Sequence, residues 1–395
     1  MKILVINSGS SSLKYQLFQM DSSQVLASGL VERIGEEAAK ITHKIAKGSF
    51  SQEKPIPNHK YALTLAMEHL LHNEKGVIQD KNDIAAIGHR VAHGGEKFYQ
   101  PAIIHGSIIS AIEEHKPLAP LHNPANLMGI LACQEYFENT TQVAVFDTAF
   151  HQTIPDYAFH YAIDYELYSK YGIRRYGFHG TSHRYVATNA AKYLQKRLED
   201  LSMITLHLGN GCSMAAIRGG TCIDTSMGMT PLEGIVMGTR SGDIDAGILF
   251  HLHRELGYSV DQIDALLNKN SGLKGIAATN DMRDLLQKKQ QGDTRAALAF
   301  AVYTYRIKKY IGAYAAALGK LDAIVFTGGV GENSADIRTA CCSNLEILGI
   351  ALDENNNASG SKGERSIQKS EMQVAVLVIP TNEELQIAKE TVELL

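Results

Sequence analysis

Five side chains that can bind or orient an anion occur in this chain, four at the ends of apolar runs and the fifth, Arg240, in a Gly-rich loop between Gly238 and Gly242. They are Arg90 in GHRVAHGGE, His122 in PLHNP, Asp147 in VAVFDTAFH, His179 in YGFHGTSH and Arg240 in GTRSGDIDAG. In an α/β sheet such residues collect at the carboxyl ends of the strands, where ligands bind. Each histidine taken alone is more often structural, and Arg90 alone could belong to a surface ion pair. Their occurrence together predicts an anion-binding site.

Two segments rich in glycine and serine, about half a chain apart, predict phosphate binding. INSGSSSLK (residues 6–14) and LHLGNGCSM (206–214) each predict a strand, a tight turn and a second strand. Backbone amides beside glycine can converge on an anion in such turns, and short side chains add donors. Ordinary hairpin turns remain the alternative, because the same residue types are common in any turn. The candidate residues are Ser8, Gly9, Ser10, Ser12, Gly209, Asn210 and Gly211.

Neither segment has the GxxxxGK[ST] spacing of a P-loop or the GxGxxG spacing of a dinucleotide fold, so those motifs are excluded. A third segment, AIVFTGGVGENS (323–334), predicts an apolar strand, a Gly-rich turn and a helix start. A helix start of this kind favours an anion, although it is also an ordinary α/β connection. The repeated turn predicts a nucleotide held between two related domains.

Three further residues could serve a nucleotide and its metal ion. Lys14 leaves the first turn, where its amine could reach outer phosphates, and Asn7 ends the preceding strand. An amide oxygen suits Mg²⁺, which keeps several waters and uses few protein ligands. Glu383 stands at a predicted helix start, and we expect Thr381 and Glu384 to form a capping box that leaves Glu383 facing the site. By itself, Asn7 is typical of a turn and Glu383 of a helix N-terminus.

Two HxxxH spacings, His89 with His93 and His179 with His183, would offer two metal ligands each on a regular helix. Nearby glycines disfavour a regular helix over the whole of either segment, and neither has the glutamate of HExxH. We therefore expect no zinc site here.

The bulk composition bounds the class of protein. A chain of 395 residues predicts two domains, and a net charge of −4 without long single-sign runs excludes a nucleic-acid or anionic-membrane partner. The N-terminus has only four consecutive apolar residues, and no apolar stretch is long enough to span a membrane. Five cysteines without CxxC spacing read as reduced packing residues. We expect a cytoplasmic protein with a small-molecule partner.

Strand-like runs alternate with amphipathic patterns, which predicts an α/β fold. The predicted strands are residues 3–6, 13–18, 84–87, 143–147, 203–208, 213–217, 323–327 and 374–379. The predicted helices are residues 61–75, 107–115, 124–137, 181–197, 259–268, 281–289, 294–319 and 383–394. We predict an exposed loop over 353–366 and a domain boundary near residue 150, with domain one comprising 1–150 and 384–395 and domain two 151–383.

Taken together, the motifs resemble the acetate kinase family from residue 3 to about 388. They are INSGSSSLK, GHRVAHGGE, FDTAFHQTIP, RRYGFHGTSH, HLGNGCS, DTSMGMTPLEG, MGTRSGDID, FTGGVGENS and TNEE. The resemblance implies two duplicated actin-like (ribonuclease H-like) domains around an ATP cleft, and a homodimer. It also implies reversible transfer of the γ-phosphoryl group of ATP to acetate, giving acetyl phosphate and ADP, with Mg²⁺ or alternatively Mn²⁺.

The resemblance also implies a role for each matched residue. Asn7 and Glu383 match the metal positions, Arg90 the carboxylate contact and Asp147 the catalytic aspartate, while His122, His179 and Arg240 match the groups that stabilise the phosphoryl. The ATP-binding set is Ser10, Ser12, Lys14, His207, Leu208, Gly209, Asn210, Gly211, Asp281, Met282, Arg283, Gly329, Val330, Gly331, Glu332 and Asn333. A carboxylic acid is already ionised at pH 7 and needs no general base. We therefore expect Asp147 to orient Arg90 or the metal-bound waters.

One departure from the family concerns the substrate pocket, which the resemblance builds from Arg90, Ala92, Leu121, Phe178 and Pro231. Members specific for acetate usually have a bulky β-branched residue where this chain has Ala92. The smaller side chain predicts a relaxed substrate preference, with propionate as a competitor to acetate.

Two other functions are alternatives. A non-catalytic, nucleotide-gated binding module would not need the Arg90, Asp147, His179 and Arg240 set. A sugar or glycerol kinase would need a general base and more polar contacts.

Overall fold

The computed structural model describes residues 1–120 and 122–395, so Leu121 lies outside the described residues. The chain divides into two compact units, residues 1–150 with 382–395 and residues 151–381. The domain ranges predicted from the sequence, 1–150 with 384–395 and 151–383, remain a prediction. Among the described residues, no helix combines the length and apolar character that crossing a membrane requires.

The first unit contains one sheet of eight strands in the order β5-β4-β3-β2-β1-β6-β8-β7. β1 pairs antiparallel with β2 and parallel with β6, and β6 pairs parallel with β8. The strands are β1 (Lys2–Gly9), β2 (Ser12–Gln19), β3 (Gln24–Glu32), β4 (Lys40–Ile45), β5 (Gly48–Glu53), β6 (Ile84–Val91), β7 (Ala102–Ile103) and β8 (Thr141–Phe146).

Within residues 1–120, 122–150 and 382–395 the first unit has four α-helices: His59–Leu71, Gly106–Glu114, Asn123–Tyr136 and the C-terminal helix Glu383–Val392. The C-terminal helix packs on β1, β6 and β8, and Asn123–Tyr136 packs on β1 and β6. β8 is buried along almost its whole length, as expected for a parallel strand covered on both faces. β2 alternates between buried and more exposed residues over Ser12–Gln19 because it belongs to the antiparallel part of the sheet.

The second unit contains a sheet of six strands in the order β11-β10-β9-β12-β14-β13. β9 pairs antiparallel with β10 and parallel with β12, which pairs parallel with β14. The strands are β9 (Ser202–Leu208), β10 (Cys212–Arg218), β11 (Thr221–Thr225), β12 (Ala323–Thr327), β13 (Arg365–Ser366) and β14 (Ala375–Val378). Each sheet thus contains an antiparallel meander of three strands followed by two parallel strands, which confirms a duplicated α/β architecture.

The second unit is rich in helices. The long helix Thr294–Leu318 buries Tyr303, Ile307 and Ile311 in the same core as the β9 and β12 side chains. The other helices are Asp156–Phe159, Tyr165–Tyr171, Gly180–Tyr193, Gly247–Arg254, Val260–Lys269, Gly272–Ala277, Met282–Gln290, Gly328–Asn333, Ala335–Cys342 and Glu354–Ala358.

Both Gly- and Ser-rich segments form the predicted hairpins. The first turn is two residues long, since Gly9 pairs with Ser12, and the second is three residues long, since Leu208 pairs with Cys212. All the predicted strands and helices are present within a few residues of their predicted bounds. The prediction missed β3, β4, β5, β7, β11 and β13. β5 is mostly exposed and polar, so it carries little hydrophobic signal.

Two local predictions are wrong. The segment 353–366 contains the helix Glu354–Ala358, because buried Asn357 accepts a 2.7 Å hydrogen bond from Nε of Arg338. The C-terminal helix is capped by Asn382, whose side chain accepts from the amide of Leu385 at 3.0 Å. The hydroxyl of Thr381 lies instead 2.8 Å from Ser182 Oγ, so the expected capping box does not form.

Candidate active site

In the first unit, Arg90 and Asp147 form a bidentate ion pair at the ends of two parallel strands. The register of β6 and β8 places Val91 opposite Phe146, and the amide of Asp147 donates to the carbonyl of Val91 at 2.9 Å. Nε of Arg90 donates to Asp147 Oδ1 at 3.0 Å, and Nη2 donates to Oδ2 at 2.6 Å. The Asp147 carboxylate raises the pKa of Arg90, which keeps the guanidinium charged. The expected contact is therefore present, and its catalytic role stays a prediction.

The pair uses only one edge of the guanidinium. Among the described residues, no hydrogen bond involves Nη1 of Arg90. Asp147 is 2 % exposed, so its carboxylate is held away from water while Arg90 is partly accessible. Nη1 of Arg90 could therefore donate to a substrate carboxylate, because guanidinium and carboxylate groups commonly form charge-assisted hydrogen bonds.

Glu383, the first residue of the C-terminal helix, contributes a second unusual carboxylate to the first unit. Its Oε1 is buried and has no hydrogen-bond partner among the described residues. Burial raises its pKa to about 7, and the charge of Asp147 adds to this rise while that of Arg90 opposes it. An orphaned buried carboxylate oxygen is costly unless a cation or proton satisfies it.

The residues around Glu383 fit a hard cation. Asn7 lies in β1 directly opposite Lys14 of β2, and Lys14 forms an ion pair with Glu384. Within the described residues, no group of three or more His, Cys, Asp or Glu side chains is arranged to hold a metal. Mg²⁺ does not require such a group, because it keeps several waters and takes one or two carboxylates. Asn7 and Glu383 could therefore hold Mg²⁺ with water completing its shell.

Two asparagines that the sequence analysis missed hold the loop after β6. Asn126 accepts from the amide of Ala92 at 3.0 Å and donates to the carbonyl of Ser8 at 2.8 Å. Asn123 accepts from the amide of His93 at 3.0 Å and donates to its carbonyl, also at 3.0 Å. Their spacing of three on the helix Asn123–Tyr136 places both on one face, which is the signal that could have identified them.

The other predicted site residues of the first unit that the structure describes lie at or next to the ends of its strands and helices. His122 immediately precedes the helix Asn123–Tyr136, Ser10 lies in the first turn, and Ser12 begins β2. Ala92 is 6 % exposed. Leu121, predicted to line the substrate pocket, lies outside the described residues.

In the second unit, His179 and Arg240 converge beside Gly211. His179 precedes the helix Gly180–Tyr193 and has a φ of 57°, a backbone conformation uncommon for a residue with a side chain and frequent at functional sites. A Cβ atom at Gly211 would lie 3.6 Å from both His179 Nε2 and Arg240 Nη1. The absence of a side chain at Gly211 thus leaves a small space that both donors face.

Neighbouring groups orient these donors. Nδ1 of His179 lies 2.9 Å from Ser213 Oγ, and its ring stacks on that of His207 with the centroids 4.3 Å apart. Nη1 of Arg240 donates to the carbonyl of Pro231 at 3.2 Å, and burial lowers the pKa of Arg240. Phe178 is buried, and its carbonyl lies 2.9 Å from His151 Nε2. Pro231 thus contacts Arg240, and Phe178 immediately precedes His179 in the chain. Arg240 and His179 are the two residues of this unit predicted to stabilise the phosphoryl group.

A cavity of about 830 Å³ in the second unit is lined by most of the residues 281–283 and 329–333 of the predicted ATP-binding set. This volume is within the usual range for small-molecule sites. Gly331 and Glu332 are not among the lining residues; the Glu332 carboxylate instead accepts from the amide of Gly328 at 2.9 Å. The lining residues are Gly209, Asn210, Asn280, Asp281, Met282, Arg283, Leu286, Gly329, Val330, Asn333, Ser334, Ala335 and Asp336.

The second turn lies between this cavity and the predicted phosphoryl-binding residues His179 and Arg240. Gly209 and Asn210 line the cavity, while Gly211 adjoins His179 and Arg240. Leu208 ends β9, and His207 precedes it with Nδ1 2.8 Å from Ser182 Oγ. A nucleotide whose base occupied the cavity could therefore direct its phosphates along residues 209–211.

Comparisons with known proteins cover both units. The model described as the Acetokinase family matches residues 2–389. The chain is 52 % identical over 395 residues to the acetate kinase of Clostridium novyi (strain NT), covering 100 % of this chain and 98 % of the relative. It is 52 % identical over 397 residues to the acetate kinase of Thermotoga maritima, again covering 100 % of this chain and 98 % of the relative.

Two solved structures are similar along their whole length. The crystal structure of Porphyromonas gingivalis acetate kinase aligns with a TM-score of 0.95 at 45 % identity, covering 99 % of each chain. A propionate kinase from Francisella tularensis subsp. tularensis SCHU S4 aligns with a TM-score of 0.94 at 45 % identity, covering 100 % of each chain. These likenesses confirm the predicted fold class.

Proposed function

The chain belongs to the acetokinase family, and on that basis we propose that it is an acetate kinase that transfers the γ-phosphoryl group of ATP reversibly to acetate. The products are acetyl phosphate and ADP. The observation that carries this proposal is the convergence of His179 Nε2 and Arg240 Nη1 on the space beside Gly211, next to the candidate nucleotide cavity.

The proposed transfer is direct and in line. A carboxylate oxygen of acetate forms a bond to the γ-phosphorus as the bond from that phosphorus to the β,γ-bridging oxygen breaks, and ADP leaves with the electron pair. Acetate is already ionised at pH 7, so no proton needs to be removed. A loose phosphoryl-transfer transition state gains most from alignment and from positive donors around its equatorial oxygens.

Each candidate residue has a role in this scheme. Arg90 binds the acetate carboxylate, and Asp147 holds the guanidinium in the orientation that leaves Nη1 for the substrate. His179 and Arg240 donate to the equatorial oxygens, with His122 as a further donor. Asn7 and Glu383 hold Mg²⁺, or Mn²⁺ in its place, which when bound neutralises phosphate charge.

Formation of acyl phosphate tests the proposal directly. Purified protein with ATP, Mg²⁺ and acetate should produce a hydroxylamine-trapped acyl hydroxamate, and Arg240→Ala should lower kcat by about 10²-fold or more. ATP hydrolysis without hydroxamate would contradict acid kinase activity. Omission of Mg²⁺ with a chelator present should abolish the signal, with restoration by Mg²⁺ or Mn²⁺.

Propionate is the second candidate acceptor, because Ala92 is small and buried in a loop fixed by Asn126. We expect kcat/KM for propionate to approach that for acetate. Ala92→Val should favour acetate by about tenfold, since one methylene in an apolar pocket is worth roughly 1–3 kcal/mol. A strong preference for acetate in the unaltered protein, unchanged by Ala92→Val, would contradict the role given to Ala92.

We also propose a cytoplasmic homodimer. The helix Gly247–Arg254 has no buried residue, and it exposes Ile248 and Phe250 to solvent, with Leu256 exposed just after it. Apolar surface of this kind is typical of a surface that another protein covers. Light scattering should give twice the chain mass, and Phe250→Asp should reduce it towards the mass of one chain. All five cysteines are free and buried, as suits a reducing compartment.

A further inference from the structure

His183, which has no part in the proposed transfer, is buried between two hydroxyl groups. It is 0 % exposed, with Nδ1 2.7 Å from Thr205 Oγ1 and Nε2 2.7 Å from Ser213 Oγ. Burial lowers the pKa of His183 well below its usual value, with the charges of His151 and His207 acting in the same direction. The ring is therefore neutral, so that one nitrogen donates a hydrogen bond and the other accepts one.

The same hydroxyl of Ser213 continues the chain to His179. Its Oγ lies 2.9 Å from Nδ1 of His179. A hydroxyl has one hydrogen and two lone pairs. Ser213 is fully buried, and among the described residues its hydroxyl is hydrogen-bonded only to these two histidines. Its hydrogen therefore finds an acceptor only if Ser213 donates to one histidine and accepts from the other. The three hydrogen bonds that link Thr205, His183, Ser213 and His179 consequently all run in one direction.

Thr205 decides which direction is favoured. It is fully buried, and within the part of the chain that the structure describes its hydroxyl is hydrogen-bonded to His183 alone. If the bonds run from Thr205 towards His179, every hydrogen in the chain has an acceptor. If they run the other way, the Thr205 hydrogen is buried without an acceptor, which disfavours that arrangement by roughly tenfold or more.

We propose that Thr205, His183 and Ser213 are positioning residues that hold neutral His179 in the tautomer with its hydrogen on Nε2. In the favoured direction Ser213 donates to Nδ1 of His179, so the ring hydrogen belongs to Nε2. Nε2 is the nitrogen that faces the space beside Gly211 and Arg240. The catalytic value of this tautomer rests on the proposed function, since it supplies a donor to the phosphoryl oxygens without a proton being taken up.

The tautomer can be measured without turnover. Protein labelled with ¹⁵N-histidine is examined at pH 8 by long-range ¹H–¹⁵N NMR, and His179 is assigned from the signals lost in His179→Gln. The proposal expects a protonated Nε2 and an unprotonated Nδ1 for His179. A hydrogen on Nδ1, or on both nitrogens, would overturn it.

Thr205→Val and Thr205→Ser form a matched pair. Valine keeps the shape of threonine without the hydroxyl, whereas serine keeps the hydroxyl. We expect Thr205→Val to give a mixture of His179 tautomers and to lower kcat and kcat/KM together by about fivefold or more, as for an interaction made in the transition state. Thr205→Ser should keep the original tautomer. A pure Nε2–H tautomer in Thr205→Val, or equal loss in both variants, would overturn the proposal.

Ser213→Ala cuts the same chain one step nearer to His179 and serves if Thr205→Val does not fold. It should also give mixed tautomers, and an unchanged tautomer would count against the chain. The proposed function is tested by a different result. If the protein has the expected His179 tautomer but makes no acyl phosphate, the positioning role of the three residues is supported and acid kinase activity is contradicted.

Discussion

The turn between β1 and β2 and the turn between β9 and β10 occupy equivalent places in two sheets that share a meander of three strands followed by two parallel strands, yet different chemical groups adjoin them. Near the first turn are carboxylates: Glu383 has an orphaned oxygen, and Glu384 pairs with Lys14. Beside the second are donors to anions, His179 and Arg240. The shared topology places each turn, while side chains from neighbouring elements decide what it can bind.

The largest effect is expected from the ion pair of the first unit. Asp147→Asn should lower kcat/KM for the carboxylic acid by about 10²–10³-fold, because breaking a buried, hydrogen-bonded charge pair costs roughly 2–5 kcal/mol. Steady-state kinetics at saturating ATP measure this, with Mg²⁺ affinity followed in parallel. Glu135→Gln, which breaks an exposed pair with Lys60 in the same unit, is the control and should change little. Near-normal turnover in Asp147→Asn with unchanged Mg²⁺ affinity would refute the role of Asp147.

Glycine substitutions compare the two turns directly. An added Cβ at Gly211 would be in ordinary contact with His179 and Arg240, so Gly211→Ala should fold but fill the space proposed for the phosphoryl group. We expect kcat/KM for ATP to fall by about 10²-fold, since a displacement of about 1 Å in the reacting group can cost that much.

Gly9→Ala is the matched variant in the first turn. Its Cβ would lie 2.7 Å from Ser12 Oγ and would make that hydroxyl, one donor of the predicted ATP-binding set, rotate away. Loss of one such hydrogen bond is worth about 1 kcal/mol, so the loss in kcat/KM should be less than about tenfold. Circular dichroism and thermal unfolding check that both variants fold. Equal losses in the two variants would show that the turns do not differ in the proposed way.

The smallest expected effect concerns stability and the carboxylate near the first turn. Burial raises the pKa of Glu383 from 4.5 to about 7, so folding favours its protonated form. Its contribution to stability is therefore fully present below about pH 4.5 and is lost as the pH rises through 7. In the presence of a chelator, Glu383→Gln should reduce the fall in the free energy of unfolding between pH 5 and 7.5.

Urea unfolding at the two pH values measures that difference, with Glu135→Gln again as the control. Saturating Mg²⁺ should stabilise the unaltered protein at pH 7.5 more than Glu383→Gln, because a ligand that binds only the folded state adds to its stability. An identical pH dependence in Glu383→Gln and the unaltered protein would contradict the raised pKa.

Much of the fold could be predicted because its signals are local. Apolar runs and helical periodicity identified the central strands and the long helices, and glycine with serine identified both turns. The edge strand β5 and its neighbour β4 were missed because partly exposed strands lack a continuous apolar pattern. The buried Asn357 of the supposed loop 353–366 escaped because its partner, Arg338, lies 19 residues away.

The candidate site divides in the same way. Residue types and position at strand ends were sufficient to nominate Arg90 and Asp147, and the register of β6 and β8 brought the two into contact. Arg240 was nominated from its place in a Gly-rich loop. Their spacing puts Asn123 and Asn126 on one helix face, but it does not reveal their partners, because the backbone groups of Ser8, Ala92 and His93 lie 30 or more residues away in the chain.

The sequence by itself determined the fold class and the chemical types of the candidate residues, because periodicity, glycine placement and side-chain chemistry belong to the residues themselves. Only the tertiary structure decided their environments. Among the described residues it leaves Glu383 Oε1 buried without a hydrogen-bond partner, and it links His179 and His183 by hydrogen bonds through Ser213. Burial and hydrogen-bond direction depend on groups far apart in the chain, so no local pattern encodes them.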